Sequence, residues 1–388
     1  MIYSIFPLFA DVTGIPVYIP AIFVVLSLGL LFPNVFNTKV FAWFSTYIFI
    51  IIVYICLGKT IHINGLDSSL SSWRRIIIEA AWILPSIFIM SVMTSIHNIK
   101  VYKIISWGSV ISLLISFLYI SPMLSISVNY LRDHMDGDLR PLGVPDYALM
   151  HAYALIVFPL CIYMKNNNGY RKLFYLFLIF IWGYVVSKTA VTTSLFLIIF
   201  SVLIIFIYNP RNDYMTMILL VMFFILAFIL KYIGAYTIFI EFLMPYFEGT
   251  AVYSKMVDIH YSLEKGMIIG DTLTGRMNYH DMSREAFKAN PLLGTSGVGG
   301  HSKILDVLGS MGLLVFIPYI MMLVSSLKTL QRQCTHKSTR KYLLLSFLLA
   351  GVFLYTKGIF SAPGYLFMFV IVPSLIIYFE AIKGRNVF

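Results

Sequence analysis

Apolar residues run through this chain in blocks of about 17–25, the length that carries a helix across a bilayer core. Polar residues collect between the blocks. The blocks cover 15–33, 38–57, 76–94, 101–120, 147–164, 171–187, 189–208, 214–240, 304–327, 342–357 and 362–380, which predicts eleven spanning helices. Met1–Phe9 offers a further re-entrant piece. Pro85 and Pro318 fall inside spans and predict kinks, which membranes tolerate where neighbours satisfy the freed backbone groups. The pattern carries no internal repeat of the kind many secondary transporters show.

Composition agrees with the pattern. Of 388 residues, 60% are hydrophobic and 12% charged, and the mean hydropathy is +0.87, whereas soluble domains carry about 25% charged residues. A soluble enzyme, a secreted disulfide module and a disordered tail are excluded. The fold class expected is an all-α polytopic membrane protein, one integral membrane domain over 1–388. Cys56 and Cys161 lie in apolar blocks and Cys334 in a basic loop, so no disulfide framework is suggested. Met1–Pro20 lacks a basic leader and contains Asp11, so no cleavable signal peptide is expected. The net charge of +11 is scattered between spans, where Lys and Arg set topology and touch anionic lipid. A nucleic-acid partner is therefore not expected.

Orientation follows from the short connections. The loop 328–341 holds Lys328, Arg332, Lys337, Arg340 and Lys341 without an acid, which makes it cytoplasmic under the positive-inside rule. Alternating from it, Lys100, Lys103, Lys165, Arg171, Lys172, Arg211, Lys383 and Arg385 also fall inside, with only Asp213 and Glu380 as acids there. The N-terminus and two long connections, 121–146 and 241–303, then lie outside.

Those connections hold the candidate chemistry. The first gathers Arg132, Asp133, His134, Asp136, Asp138 and Arg140. The second reads as two or three amphipathic helices on the outer surface, with apolar faces supplied by residues such as Phe242, Met256 and Phe287. It ends in GRMNYHDMSREAFKANPLLGTSGVGGHSKILDVLGSMGLLVF, 275–316: a helix carrying Arg276 and Arg284, a stop at Asn290-Pro291, a glycine-rich turn, and His301 at the mouth of the next span. Arginine suits phosphate because its planar fork donates paired hydrogen bonds and stays charged. Histidine suits a proton acceptor because its pKa lies near neutrality. The turn 294–300 offers backbone amides to an anion, although no Gly-Lys-Ser/Thr follows and it is not a Walker A loop.

Arg276, then Asn290-Pro291-Leu292-Leu293-Gly294, then Gly297 and Gly299, then His301-Ser302 and Gly312 resemble the signature of the O-antigen ligase/polymerase family. The motif covers about forty residues, and the layout of spans with a large outer loop between the eighth and ninth resembles the family over the whole chain. The resemblance implies a GT-C-like inner-membrane glycosyltransferase with its active site facing the periplasm. Its substrates would be undecaprenyl-pyrophosphate-linked glycans, donor and acceptor alike. It would invert at carbon without a metal or other cofactor, with a chain-length regulator as a further partner. Arg276 falls on the family's loop arginine and His301 on its histidine. Ser187-Lys188-Thr189-Ala190 resembles a family Ser-Arg-Gly-Ala stretch, with Lys for Arg keeping the charge and losing the fork. Arg140 resembles, on a looser pattern, an arginine after the fourth or fifth span. Val315 stands where the family often has Gly, Thr or Tyr. The implied pyrophosphate set is Arg276, Lys188, Arg140 and Arg284, with His301 and Arg276 catalytic. Polymerisation of repeat units is favoured over ligation of finished glycan to lipid A–core, which shares the motif. Flipping of lipid-linked oligosaccharide is the other alternative, and clustering of the charges on one side speaks against it.

Each of these residues also has an ordinary structural role open to it. Arg276, Lys188 and Arg140 suit membrane boundaries, where long cations snorkel; Arg284 suits solvent; His301 suits a helix entry. Asp306, a turn inside the span, is a candidate to orient His301. Asp136-Gly137-Asp138 matches an Asp-x-Asp metal motif, in a stretch equally suited to a turn. Glu79 within a span is costly to bury as an ion, and Arg74 and Arg75 are its nearest partners in sequence. A polar cavity is the other setting open to Glu79, and Lys357, at the outer end of a span, is placed to reach that cavity.

Overall fold

The computed structural model describes residues 29–63, 70–96, 98–124, 147–189, 192–208, 235–248, 274–295, 297–356 and 361–385, with isolated positions between 23 and 27 and between 253 and 261. It is all-helical, with no strand among the described residues. Helix α1 is Lys39–Cys56, α2 Ser72–Ile96, α3 Ile99–Ile120, α4 Tyr147–Asn166, α5 Gly169–Lys188 and α6 Thr192–Ile207. Helix α7 is Ala235–Leu243, α8 Thr274–Ala289, α9 Lys303–Gln331 and α10 Lys337–Thr356. Helix α11, Ala362–Leu366, passes through a π-helical turn, Phe367–Ile371, into α12, Val372–Arg385.

Among the described residues seven helices are long and apolar enough to cross a membrane: α1 to α5, α9, and the α11–α12 run over Ala362–Ile382. Helices α6 and α10 fall on two more of the predicted spans. Most of span 214–240 lies outside the described residues, as does most of span 15–33. So do 125–146 with Arg132, Asp133, His134, Asp136, Asp138 and Arg140, and the residue Lys357.

Local chemistry fixes the helix ends. Thr38 accepts the Phe41 amide at 3.2 Å and starts α1. Asn98 accepts the Lys100 amide at 2.9 Å and starts α3. Ser302 accepts the Leu305 amide at 3.2 Å and starts α9. Each side chain satisfies one of the amides that a helix N-terminus leaves unpaired.

Helix α4 is the axis of the bundle, buried without a break from Leu149 to Met164 and packed by α5, α6 and the α11–α12 run. Tyr153 bridges it to α3 by hydrogen bonds with Ser112 and, at 3.0 Å, Ser116. On the other side α9 packs against α1, α8 and α10, and α2 against α1 and α11. One end of the bundle carries the loop after α1, the start of α2, and the α8–α9 corner. The opposite end carries the basic connections around 97–103, 165–172 and 332–341.

The proline positions predict kinks in α2 and α9, and both Pro85 and Pro318 are indeed inside helices. The break in α9, however, is at Gly312 (φ 68°, ψ −173°), six residues before Pro318. There the amides of Leu313 and Leu314 donate to Pro291 O (2.9 Å) and Leu292 O (3.3 Å) rather than within the helix. Thr295 N donates to Gly309 O at 2.8 Å, and the Tyr54 hydroxyl of α1 donates to Met311 O at 3.3 Å. Segment 291–295 thus lies along the opened helix as a strap, and neighbouring protein takes up the backbone groups freed by the break. That is the condition under which irregular backbone survives at membrane depth.

Candidate functional site

The site is built where α8, the glycine turn and the first turns of α9 meet. Helix α8 presents Tyr279, Ser283 and Ala286 toward α9, with Ser283 and Ala286 buried. Position 276 is one turn before Tyr279 on the same helix, and 284 is about two turns after 276. Arg276 is therefore in the first turn of α8, while its side chain lies outside the described residues. Arg284 is exposed, bonded to Asp281 at 2.8 Å, and donates to the Tyr355 hydroxyl at the end of α10 at 3.2 Å.

His301 is half-buried, its ring stacked on Tyr279 with centroids 4.4 Å apart and planes 28° apart. Asp306 holds the backbone on both sides of it. Its carboxylate accepts Ser302 N at 2.9 Å and Gly300 N at 3.4 Å, together with the Ser283 hydroxyl. Ser283 Oγ in turn accepts Gly299 N at 3.1 Å. The amides of Gly299, Gly300 and Ser302 are thus engaged by the protein's own oxygens, so these three donors of the turn serve its architecture. A carboxylate here also lies at the positive end of the α9 dipole.

Glycine makes the close approach possible. A Cβ at Gly294, Gly299, Gly309 or Gly312 would run into backbone of, respectively, Gly309, Tyr279, Ser283 and Leu292. Gly312 in addition occupies a backbone region that is essentially glycine's alone. Gly312→Ala is therefore expected to lower unfolding stability by about 3 kcal/mol or more. Gly351→Ala, where a Cβ meets nothing within 4 Å, is expected to be neutral. Detergent-solubilised thermal unfolding of both variants measures the contrast, and equal midpoints would remove the strap from the account.

Three cations that the motif does not include join this corner. Lys303, next to the His301-Ser302 pair, is 2% exposed and pairs with Glu79 of α2, 0% exposed, at 2.7 Å. Tyr47 also donates to the same Glu79 oxygen at 3.1 Å, and Glu79 Oε2 has no hydrogen-bond partner among the described residues. The partner of Glu79 is thus Lys303; Arg75 is buried and donates instead to Ile61 O. Lys59 donates to Leu293 O and, at 3.1 Å, to Gly294 O, and lies 4.6 Å from the centroid of the Tyr54 ring. Partial burial pulls its pKa down. Nothing in the spacing of Lys303 and Lys59 singles them out, because Glu79 lies 224 positions from Lys303 and Leu293 lies 234 from Lys59.

His62, in the same loop as Lys59, has its pKa held below the ordinary imidazole value by burial first and by the Arg75 charge second, against the opposing pull of Asp306. A folded-state pKa below the unfolded one gives a contribution to stability that is whole above about pH 6.5 and is lost as pH falls through the folded pKa. The thermal midpoint is expected to drop on going from about pH 7 to about pH 5, and His62→Gln to flatten that drop. An unchanged drop in the variant would assign the effect elsewhere.

Lys188 ends α5, exposed, with its ammonium 5.9 Å from the Tyr184 ring. Helix α5 packs on α3, α4 and α6, whereas α8 packs on α9. The corner therefore unites Arg284, His301 and helix position 276, with Lys188 carried on a different group of helices and Arg140 outside the described residues. Helix α4 buries His151, whose Nδ1 is 2.6 Å from Ser194 Oγ of α6. The open face of α8 borders a groove of about 600 Å³ whose charged lining is Asp281 and Glu285, the wrong sign for a diphosphate.

The arrangement offers an imidazole held by ring stacking and by a capped backbone, beside a helix bearing two arginines. That equipment suits proton removal next to an anionic group. No model of a known protein family matches the chain, and no curated protein matches it.

Proposed function

We propose that the protein is an inverting, metal-independent membrane glycosyltransferase of the O-antigen polymerase type. It joins undecaprenyl-pyrophosphate-linked repeat units at the outer face of a bacterial inner membrane. It has eleven spans in a GT-C-like arrangement, including 15–33 and 214–240, which lie mostly outside the described residues. Support for this assignment comes from the motif resemblance. The observation that carries it is His301 at the entry of α9, stacked on Tyr279 of the helix that bears Arg276 and Arg284.

In this mechanism neutral His301 accepts the proton of the acceptor hydroxyl as that oxygen attacks the donor's anomeric carbon. The bond from that carbon to the diphosphate oxygen breaks, the lipid pyrophosphate leaves with the electron pair, and single displacement inverts the centre. Arg276 and Arg284, with Lys188 and Arg140 from their own segments, neutralise charge gathering on the leaving group. Asp306 and Ser283 fix the backbone that aims His301. Grooves between helices hold the two lipid tails, and a chain-length regulator would act from the same face.

The test is reconstitution of the whole protein with lipid-linked repeat units, read as a ladder of product lengths with and without EDTA. A ladder that survives EDTA is expected. Absence of elongation with transfer to lipid A–core would make the protein a ligase. EDTA-sensitive elongation would overturn the metal-independent step and return attention to Asp136 and Asp138.

A further inference from the structure

At the end of the bundle opposite the α8–α9 corner, a cavity of about 680 Å³ opens between α3, the end of α4, α5 and α12. Trp107, Tyr170, Tyr175 and Tyr378 wall it, and Arg171 lines it beside them. A second cavity of about 250 Å³, lined by Lys100 and Lys103, shares Tyr378 and Ile382 with the first. The two thus adjoin, and taken together this depression is lined by aromatic rings and three cations. Neither lining contains an acid. The acid nearest in sequence, Glu380, is turned to the 334–336 loop, where it accepts the Thr335 hydroxyl at 2.7 Å and the His336 amide. Its charge is used on the other side of α12.

The surroundings are those of a membrane boundary. Ile104, Trp107, Ile111 and Leu118 form an exposed stripe on α3, and Leu173, Phe177 and Phe180 one on α5. Both run from the depression toward the middle of the bundle at helical spacing. An occupant with a negative head among Arg171, Lys100 and Lys103, an interfacial portion against Trp107 and Tyr170, and hydrocarbon along the two stripes would match every part of this surface. Aromatic rings favour that interfacial level, and basic pockets between helices on the cytoplasmic side hold anionic headgroups.

We propose that this depression is a binding site for one anionic phospholipid, distinct from the site of glycosyl transfer and independent of that reading. Arg171 supplies the planar fork for the phosphodiester, and Lys100 and Lys103 supply point charges. The whole protein, purified in mild detergent, is to be offered phosphatidylglycerol or phosphatidylcholine with matched chains and read by native mass spectrometry for retained lipid. Retention of phosphatidylglycerol is expected to be about tenfold higher, corresponding to about 1.4 kcal/mol. Arg171→Gln with Lys103→Gln is expected to reduce it to the phosphatidylcholine level. Lys328→Gln with Lys337→Gln, which removes the same charge from the same end outside the depression, is expected to leave it unchanged. Equal retention of the two lipids, equal loss in both double variants, or displacement of phosphatidylglycerol by millimolar inorganic phosphate would each overturn the proposal, the last by making this a site for free anions.

Discussion

His301→Ala and Arg276→Ala are each expected to abolish ladder formation by the reconstituted protein while leaving its thermal midpoint in place. Loss of a positioned base lowers a rate by about 10²–10⁴-fold, and loss of a fixed donor to a developing oxyanion by about 10²–10³-fold. The half-buried His301 ring rests on Tyr279, and its backbone is held by Asp306 whatever the side chain. Two further variants separate chemistry from packing. Arg276→Lys keeps charge but loses the fork, so it is expected to retain an intermediate rate. Tyr279→Leu keeps apolar contact but removes the stack, so it is expected to loosen the imidazole and lower the rate less than His301→Ala does. Normal ladders from His301→Ala and Arg276→Ala together would remove the assignment of the site.

Breaking the Glu79–Lys303 pair is the second large effect. Both groups are fully enclosed, and removing one strands the other's charge, which costs about 3–5 kcal/mol. Lys303→Met and Glu79→Gln are each expected to destabilise the protein by that order in detergent unfolding. The double variant Glu79→Leu with Lys303→Met is expected to recover most of the loss, because well-packed apolar residues replace buried ion pairs at little or no cost. Additive losses would mean that the two residues act separately. The pair joins the second turn of α2 to the first residue of α9, so the double variant also measures what the ionic link does for catalysis. If it serves only to anchor α9, elongation returns with stability; if the charge of Lys303 reaches the substrate, elongation stays low in a stable protein.

The helices were largely legible in the sequence because apolar run length and capping are local. The block 101–120 became Ile99–Ile120, opened by Asn98, and the block 304–327 became Lys303–Gln331, opened by Ser302. What was not legible depends on partners distant along the chain. Pro318 is the local signal for a kink, yet α9 opens at Gly312 because residues 291–295 supply acceptors there. Arg74 and Arg75 are the obvious partners for Glu79, yet the ion pair spans 224 positions to Lys303. The motif glycines read as a loop for holding an anion. In the fold they let backbone touch backbone, and the anion their neighbouring amides hold is Asp306. Much of the signature that carries the resemblance therefore encodes the shape of the corner, and His301 with Arg276 is the part on which the proposed chemistry rests.

The most direct test is to find where the lipid pyrophosphate docks. Vesicles containing the whole protein are illuminated with a photoactivatable undecaprenyl-pyrophosphate glycan, and the labelled peptides are identified by mass spectrometry. The account predicts label within 274–303 that unlabelled lipid pyrophosphate competes away. Label confined to the basic end, around 165–175 or 328–341, or label that no competitor reduces, would contradict it.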